Sequence, residues 1–197
     1  MEAAEGGAIR CRPALARFRS ARRAIVYAPE MLWVSAVDSP IGRLILARGP
    51  QGLLRLALAG ETTQSVAGDL KKQFGLTARE DDAALADVRE QLDRYFAGEL
   101  QEFDVELDWT LAHGFRRACC EAMMRIPYGA TVTYAELAAD AGNPRAVRAA
   151  GQACATNPIA VIGPCHRVLA ANGFGGYGGG LDQKATLLAL EGALLVA

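Results

Sequence analysis

"TVTYAELAADAGNPRAVRAAGQACATNP", residues 131–158, decides how the second half of this chain folds. Thr133 and Glu136 stand in capping-box spacing, so a helix is expected to begin at Tyr134 and to end at Gly142. A second helix should follow, with Asn143 as its N-cap and Pro144 at its first helical position. Two short helices joined by a Gly-Asn turn read as a helix-turn-helix. Turning about 100° per residue, the second helix places Arg145, Arg148, Ala149 and Gln152 on one face and Val147, Ala150, Gly151 and Cys154 on the other. Arginines among such small neighbours suit a helix that must come close to a phosphate backbone. A tightly packed helix with a solvated polar face accounts for the same pattern. Cys154, on the apolar face, reads as core.

Just downstream, "VIGPCHRV" at 161–168 joins a cysteine, one of the chain's 2 histidines and an arginine. Neighbouring side chains of an extended segment point to opposite faces, so His166 cannot grip the Cys165 sulfur directly there. Either the chain turns at Pro164–Cys165 or a water joins imidazole to thiol. A buried cysteine beside a surface histidine is the plain alternative. Every residue from 173 to 180 except Phe174 and Tyr177 is glycine. Such a loop lets backbone N–H groups approach a ligand closely. It is no phosphate-loop signature, because no Gly-Lys-Ser/Thr follows.

Upstream, "FRRACCEAMMRI" is a helix stopped by Pro127 and Gly129. Before it, "MLWVSAVDSPIGRLILARG" reads as two strands around a turn, with "LLRLALAG" as the next strand. Two amphipathic helices follow, the second with Leu85, Val88, Leu92 and Phe96 on one stripe, and "EFDVELDW" closes this part as a strand. The expected organisation is a flexible Arg-rich tail over 1–29, an α/β N-terminal domain over 30–108 with a three-stranded antiparallel sheet, and a mostly α C-terminal domain over 109–197.

Composition narrows the class. With 51% hydrophobic and 22% charged residues among 197, the chain has a globular profile. No stretch approaches the roughly 18 apolar residues of a membrane-spanning helix, and Glu2 and Glu5 speak against a secretory signal. The 5 cysteines show no framework spacing, which points to free thiols in a reducing, cytoplasmic setting. No CxxC occurs and the histidines lack ligand spacing, so no metal site is expected. Net charge is −1, but residues 1–23 carry six Arg against two Glu, and 111–197 seven basic against five acidic residues. That excess is compatible with a nucleic-acid footprint and equally with chance.

The stretches "RIPYGATVTYAELA", "GNPRAVRAAG", "NPIAVIGPCHRV" and "GGYGGGLDQKATLLALEG" resemble, in order, the alkylguanine-DNA alkyltransferases, also called methylated-DNA–protein-cysteine methyltransferases. "VDSPIGRLILA" and "LDRYFAGELQEFDVELD" are similar to that family's first domain. The resemblance implies an RNase H-like first domain and a winged-helix-like second one. It makes Cys165 the nucleophile that takes an alkyl group from guanine O6, with His166 a base acting through water and Glu191 orienting it. Asn157 would brace the turn before the active-site segment, and Tyr134 would protonate guanine N3 and crowd the phosphate during flipping. Arg148 would fill the stack left by the flipped base, on a minor-groove helix that also presents Asn143, Arg145 and Ala149. Val168, Tyr177 and Gly178 would line the guanine pocket, and Lys184 would hold its loop. The implied partner is double-stranded DNA carrying O6-alkylguanine, met by a monomer that uses no cofactor. A thiolate of lowered pKa is expected at Cys165.

Some residues depart from the family pattern. Cys119 and Cys120 replace an aliphatic residue and a tryptophan. Gly163 replaces a bulky aliphatic and is expected to loosen the active-site strand. The glycine loop is one residue shorter, and Gly178 stands where Ser or Ala is frequent. The main alternative is a non-catalytic lesion-binding protein of the same fold, which would lack the cysteine. A transcription regulator and a cysteine hydrolase are the others.

Overall fold

The computed structural model describes residues 32–58 and 60–193, so the Arg-rich tail expected over 1–29 lies outside the described residues. The first half is built on a sheet of β1 (Leu32–Val37), β2 (Leu44–Gly49), β3 (Gly52–Ala57) and β4 (Ala78–Glu80), in the order β3-β2-β1-β4. Strands β1 to β3 are antiparallel, as the two turn signals require, and β4 adds parallel to β1. The sheet therefore has four strands where three were expected. The fourth comes from "ARE", too short and polar to show a period. The segment "EFDVELDW", expected as a strand, makes only an isolated bridge, Leu53 to Leu107. Its backbone still touches β3: Leu53 N–H donates to Glu106 O, and Asp108 N–H to Leu53 O, both at 2.8 Å.

Both sheet faces are apolar, so both are covered. Helix α1 (Thr63–Phe74) starts at a Thr62–Ser65 capping box, ends at Gly75 in the left-handed region, and buries Val66 and Leu70 against Leu32, Val34 and Ile45. Helix α2 (Ala86–Phe96) covers the other face with Val88, Leu92 and the fully buried Tyr95. Leu85 belongs to the same apolar surface, but Phe96 is only half-buried and Tyr95 takes the inward place. This second cluster continues without a break into the C-terminal half, through Trp109, Cys119, Cys120, Met123, Leu137, Ala150 and Val168. Both unusual cysteines fill core space, with no exposed surface.

The second half is α3 (Gly114–Met123), α4 (Tyr134–Asp140), α5 (Val147–Ala155) and α6 (Leu181–Leu190), with a parallel pair of β5 (Val132–Thr133) and β6 (Val168–Leu169). Helix α4 begins at Tyr134 on the expected Thr133–Glu136 capping box but ends at Asp140 rather than Gly142. Helix α5 begins three residues later than the sequence suggests. Asn143 Oδ1 accepts from Arg145 N–H at 3.3 Å and Asn143 O from Ala146 N–H at 3.0 Å, so Asn143 organises a turn and Ala146 is the N-cap. Arg145, in the turn before α5, and Arg148, Ala149 and Gln152 on α5 are exposed, while Ala150 and Ala153 are buried. Val147, expected on the apolar face, is 38% exposed, because the helix has only just begun there.

Candidate active site

Between α5 and β6 the chain makes a compact descent into the core. Leu56 N–H donates to Pro158 O at 2.8 Å and Ala160 N–H to Leu56 O at 3.2 Å, so the free edge of β3 captures residues 158–160. Ile162 N–H then donates to Ala160 O at 2.8 Å around Val161, whose φ is +68°. This is a γ-turn of the rarer, positive-φ form, in a buried β-branched residue, a strained geometry of about 1–3 kcal/mol. A second γ-turn follows, with Cys165 N–H donating to Gly163 O at 2.8 Å around Pro164 (φ −80°, ψ 63°). Residues Cys165–Arg167 form one 3₁₀ turn. The chain turns at Pro164–Cys165, yet no hydrogen bond joins the Cys165 sulfur to His166 among the described residues.

Asn157 fixes this descent. Its Nδ2 donates to Gly163 O at 2.7 Å and its Oδ1 accepts from Ile159 N–H at 3.1 Å. Gly163, expected to loosen the segment, stands where the chain passes close to itself. A Cβ at 163 would lie 2.8 Å from Ile159 O and 3.3 Å from both polar atoms of the Asn157 side chain, so the glycine permits a close backbone approach.

Cys165, 5% exposed, opens onto a cleft of about 530 Å³. The cleft runs between the two halves past Asn157, Cys154, Gly178, Leu58 and Arg116. Cys154 is thus half-buried on a cleft wall, not core, and its thiol rests 3.8 Å from the Met123 sulfur. Burial pushes the Cys165 thiol above its ordinary value, although the Asn157 side chain, the Lys184 charge and nearby backbone amides pull the other way. Burial thus favours the protonated thiol over the expected thiolate, and a protonated thiol must lose its proton as it reacts.

His166 is fully buried, not a surface residue, and its Nε2 lies 2.8 Å from Glu191 Oε1. Burial opposes charge on Glu191, but the hydrogen bonds from His166, Arg167 and Tyr95 outweigh it and hold the carboxyl well below its usual range. An ionised carboxylate only accepts, so Nε2 carries the proton. Burial also keeps His166 itself neutral, with Arg167 and Lys184 acting in the same direction. Nδ1 is therefore a lone-pair acceptor, and it has no hydrogen-bond partner among the described residues.

Sequence reasoning gave no role to Arg167, although it adjoins His166. Its Nε donates to Glu191 Oε2 at 2.8 Å, Nη2 to Oε1 at 2.9 Å and Nη1 to Ile126 O at 2.6 Å. The guanidinium also lies 5.8 Å from the Tyr128 ring centre. Gly129 N–H and the Tyr95 hydroxyl reach the same carboxylate, at 3.2 and 2.7 Å. No spacing in the sequence marks these last two.

Lys184, fully buried, donates to Val168 O at 2.6 Å, Phe174 O at 2.5 Å and Gly176 O at 3.4 Å, tying β6 to the glycine loop. Tyr134 leans over that loop: its hydroxyl is 3.4 Å from Gly176 O, and a Cβ at Gly175 (φ +66°) would lie 2.9 Å from its ring. The Tyr177 hydroxyl is buried without a hydrogen-bond partner among the described residues. Cys165, His166, Glu191, Lys184 and Val168 thus form one buried centre, with half-buried Asn157 beside it and Tyr134, Tyr177 and Gly178 around its loop. Asn143, Arg145, Arg148 and Ala149 stand apart on the exposed helix-turn-helix surface.

Fold and site together define a class: a helix-turn-helix protein with a buried cysteine followed by a buried histidine that is bonded to a carboxylate. Residues 32–109 match the ribonuclease-like domain, and residues 114–193 the DNA binding domain, of 6-O-methylguanine DNA methyltransferase. The chain belongs to the 6-O-methylguanine DNA methyltransferase family. It is 47% identical over 162 residues to a methylated-DNA–protein-cysteine methyltransferase of Mycolicibacterium paratuberculosis, covering 82% of this chain and 93% of that protein. The corresponding protein of Mycobacterium leprae is 45% identical, with the same coverage. Among solved structures, Mycobacterium tuberculosis OGT in complex with DNA matches with a TM-score of 0.69 at 41% identity, covering 82% of this chain and 93% of that one.

Proposed function

We propose that this chain repairs alkylated double-stranded DNA by moving the alkyl group of O6-alkylguanine irreversibly onto Cys165, acting as a cytoplasmic monomer without a cofactor. The observation that carries the reading is the Cys165 thiol on the cleft beside a histidine whose Nε2 is locked by Glu191 and whose Nδ1 is open. The damaged nucleotide must leave the duplex to reach it, at a cost of a few kcal/mol. Arg148 fills the vacated stack, Arg145 and Asn143 meet phosphate, and Ala149 allows close approach.

In the reaction the Cys165 sulfur–carbon bond forms as the carbon–O6 bond breaks. The thiol proton passes through a water to His166 Nδ1, and Tyr134 donates to guanine N3 as the base leaves. The proton on His166 then restores the Tyr134 phenol through solvent. Once the N3 proton has been exchanged through solvent for one on N1, the products are unmodified guanine and a thioether, which has no leaving group to reverse the step, so each molecule reacts once. The glycine loop, tied by Lys184, offers backbone groups to the guanine edge beside Val168, Tyr177 and Gly178.

Incubation with excess duplex containing O6-methylguanine, followed by intact and peptide mass, tests this. One methyl group on Cys165 is expected, and none in Cys165→Ser. A folded, DNA-binding protein of unchanged mass would leave the lesion-binding alternative in its place.

A further inference from the structure

Glu191 is the C-cap of α6, where the helix dipole opposes a carboxylate, and it is nevertheless buried and ionised. Four of its contacts come from the C-terminal half: His166 Nε2, two arms of Arg167 and Gly129 N–H. The fifth crosses the molecule. Tyr95 of α2 donates its hydroxyl to Oε1 at 2.7 Å, the same oxygen that receives His166 Nε2. The Tyr95 ring is fully buried and cannot swing away. Its centre lies 5.2 Å from that of Phe96, 5.2 Å from Phe103 and 6.2 Å from Tyr128. A phenylalanine would fill that space equally well, so packing does not account for the hydroxyl.

We propose that Tyr95 is a positioning residue for the thiol chemistry, through which the N-terminal half holds Glu191 and, with it, the His166 imidazole. This rests on the reading of Cys165 as the acceptor. The groups facing Glu191 are Tyr95 from α2, Tyr128 and Gly129 from the turn after α3, and His166 and Arg167 from the 3₁₀ turn. Tyr128 donates to Leu190 O at 3.0 Å instead. Lys184 on α6 contributes through its charge at His166. Of these, Tyr95 is a neutral donor that shares an oxygen with the imidazole. Without its hydroxyl, Oε1 becomes a stronger acceptor for the imidazole N–H, His166 takes up a proton more readily, and a protonated His166 cannot receive the thiol proton.

Tyr95→Phe should slow single-turnover methyl transfer by about tenfold, the lower end of what loss of a supporting partner does at a reactive centre. The acid limb of the pH–rate profile should move to higher pH, with duplex affinity unchanged. In a Glu191→Gln background the same substitution should have no further effect, because its route is gone. The reaction of Cys165 with a small haloacetamide, followed by peptide mass, reads thiol activation without assuming a guanine substrate and should show the same acid-limb shift. Unaltered rate and acid limb would overturn the proposal. So would an equal rate loss at every pH accompanied by a lower Tm, since that is a purely structural effect. Failure of wild-type protein to take a methyl group, with the haloacetamide shift intact, would sink the substrate reading and leave Tyr95's role standing.

Discussion

The helix-turn-helix surface and the cluster around Glu191 both carry arginine, and they use it in opposite ways. On that surface Arg145, before α5, and Arg148, on it, are exposed, and neither guanidinium meets a carboxylate among the described residues. Around Glu191, Arg167 spends three donors inside the protein, two on the carboxylate and one on Ile126 O. A charge left in water is available to a polyanion, whereas a charge satisfied internally sets the protonation of its neighbours. The first region is built to bind and the second to hold a proton-accepting geometry, so substitutions should separate them.

The largest effect is expected at Glu191→Gln. Arg167 would be left as a buried cation without its counter-charge, a loss of about 3–5 kcal/mol in stability, and methyl transfer should nearly cease. Denaturant unfolding and single-turnover kinetics measure the two losses. Unchanged stability would mean that the cluster is not the internal device described.

Gly163→Val comes next. Its side chain would meet Ile159 O and Asn157, and overpacking of this kind costs about 1–3 kcal/mol. Slower transfer should accompany it, because the displaced atoms position Cys165. A gain in stability would revive the idea that Gly163 loosens the segment.

Arg148→Ala should leave stability unaltered while slowing transfer from duplex DNA about tenfold, roughly 1.4 kcal/mol out of the few that flipping requires. Transfer from the free base should hardly change. Equal slowing on both substrates would place Arg148 in the chemical centre and blur the comparison.

The smallest effect belongs to Gly178→Ser. A Cβ at 178 lies 3.7 Å from Leu58 Cδ1, an ordinary contact. Stability should stay within about 0.5 kcal/mol.

The same contrast explains what could be read before the structure. The capping box at Thr133–Glu136 and the polar face of α5 are local and periodic, so they were legible, apart from the start of α5, where Asn143 serves a turn. Cys165, His166 and Glu191 were legible through the resemblance, since nothing in spacing alone joins residues 166 and 191. The net direction of the thiol's protonation was misjudged, because burial is a tertiary property and here outweighs the favourable neighbours. Tyr95 was hidden for a similar reason. It extends the apolar surface of α2, and only its distance to Glu191 distinguishes its hydroxyl from that of any core tyrosine. Strand β4 was missed because three partly polar residues carry no period; parallel pairing with β1 alone makes them a strand.

The account stands on Cys165 being a protonated thiol that His166 must deprotonate. The difference in ultraviolet thiolate absorbance between wild-type protein and Cys165→Ala, followed against pH, measures this directly. The prediction is no thiolate at Cys165 at neutral pH, with its titration above the ordinary cysteine value of about 8.5. A thiolate already formed below neutral pH would contradict it, and the histidine would then have no proton to take.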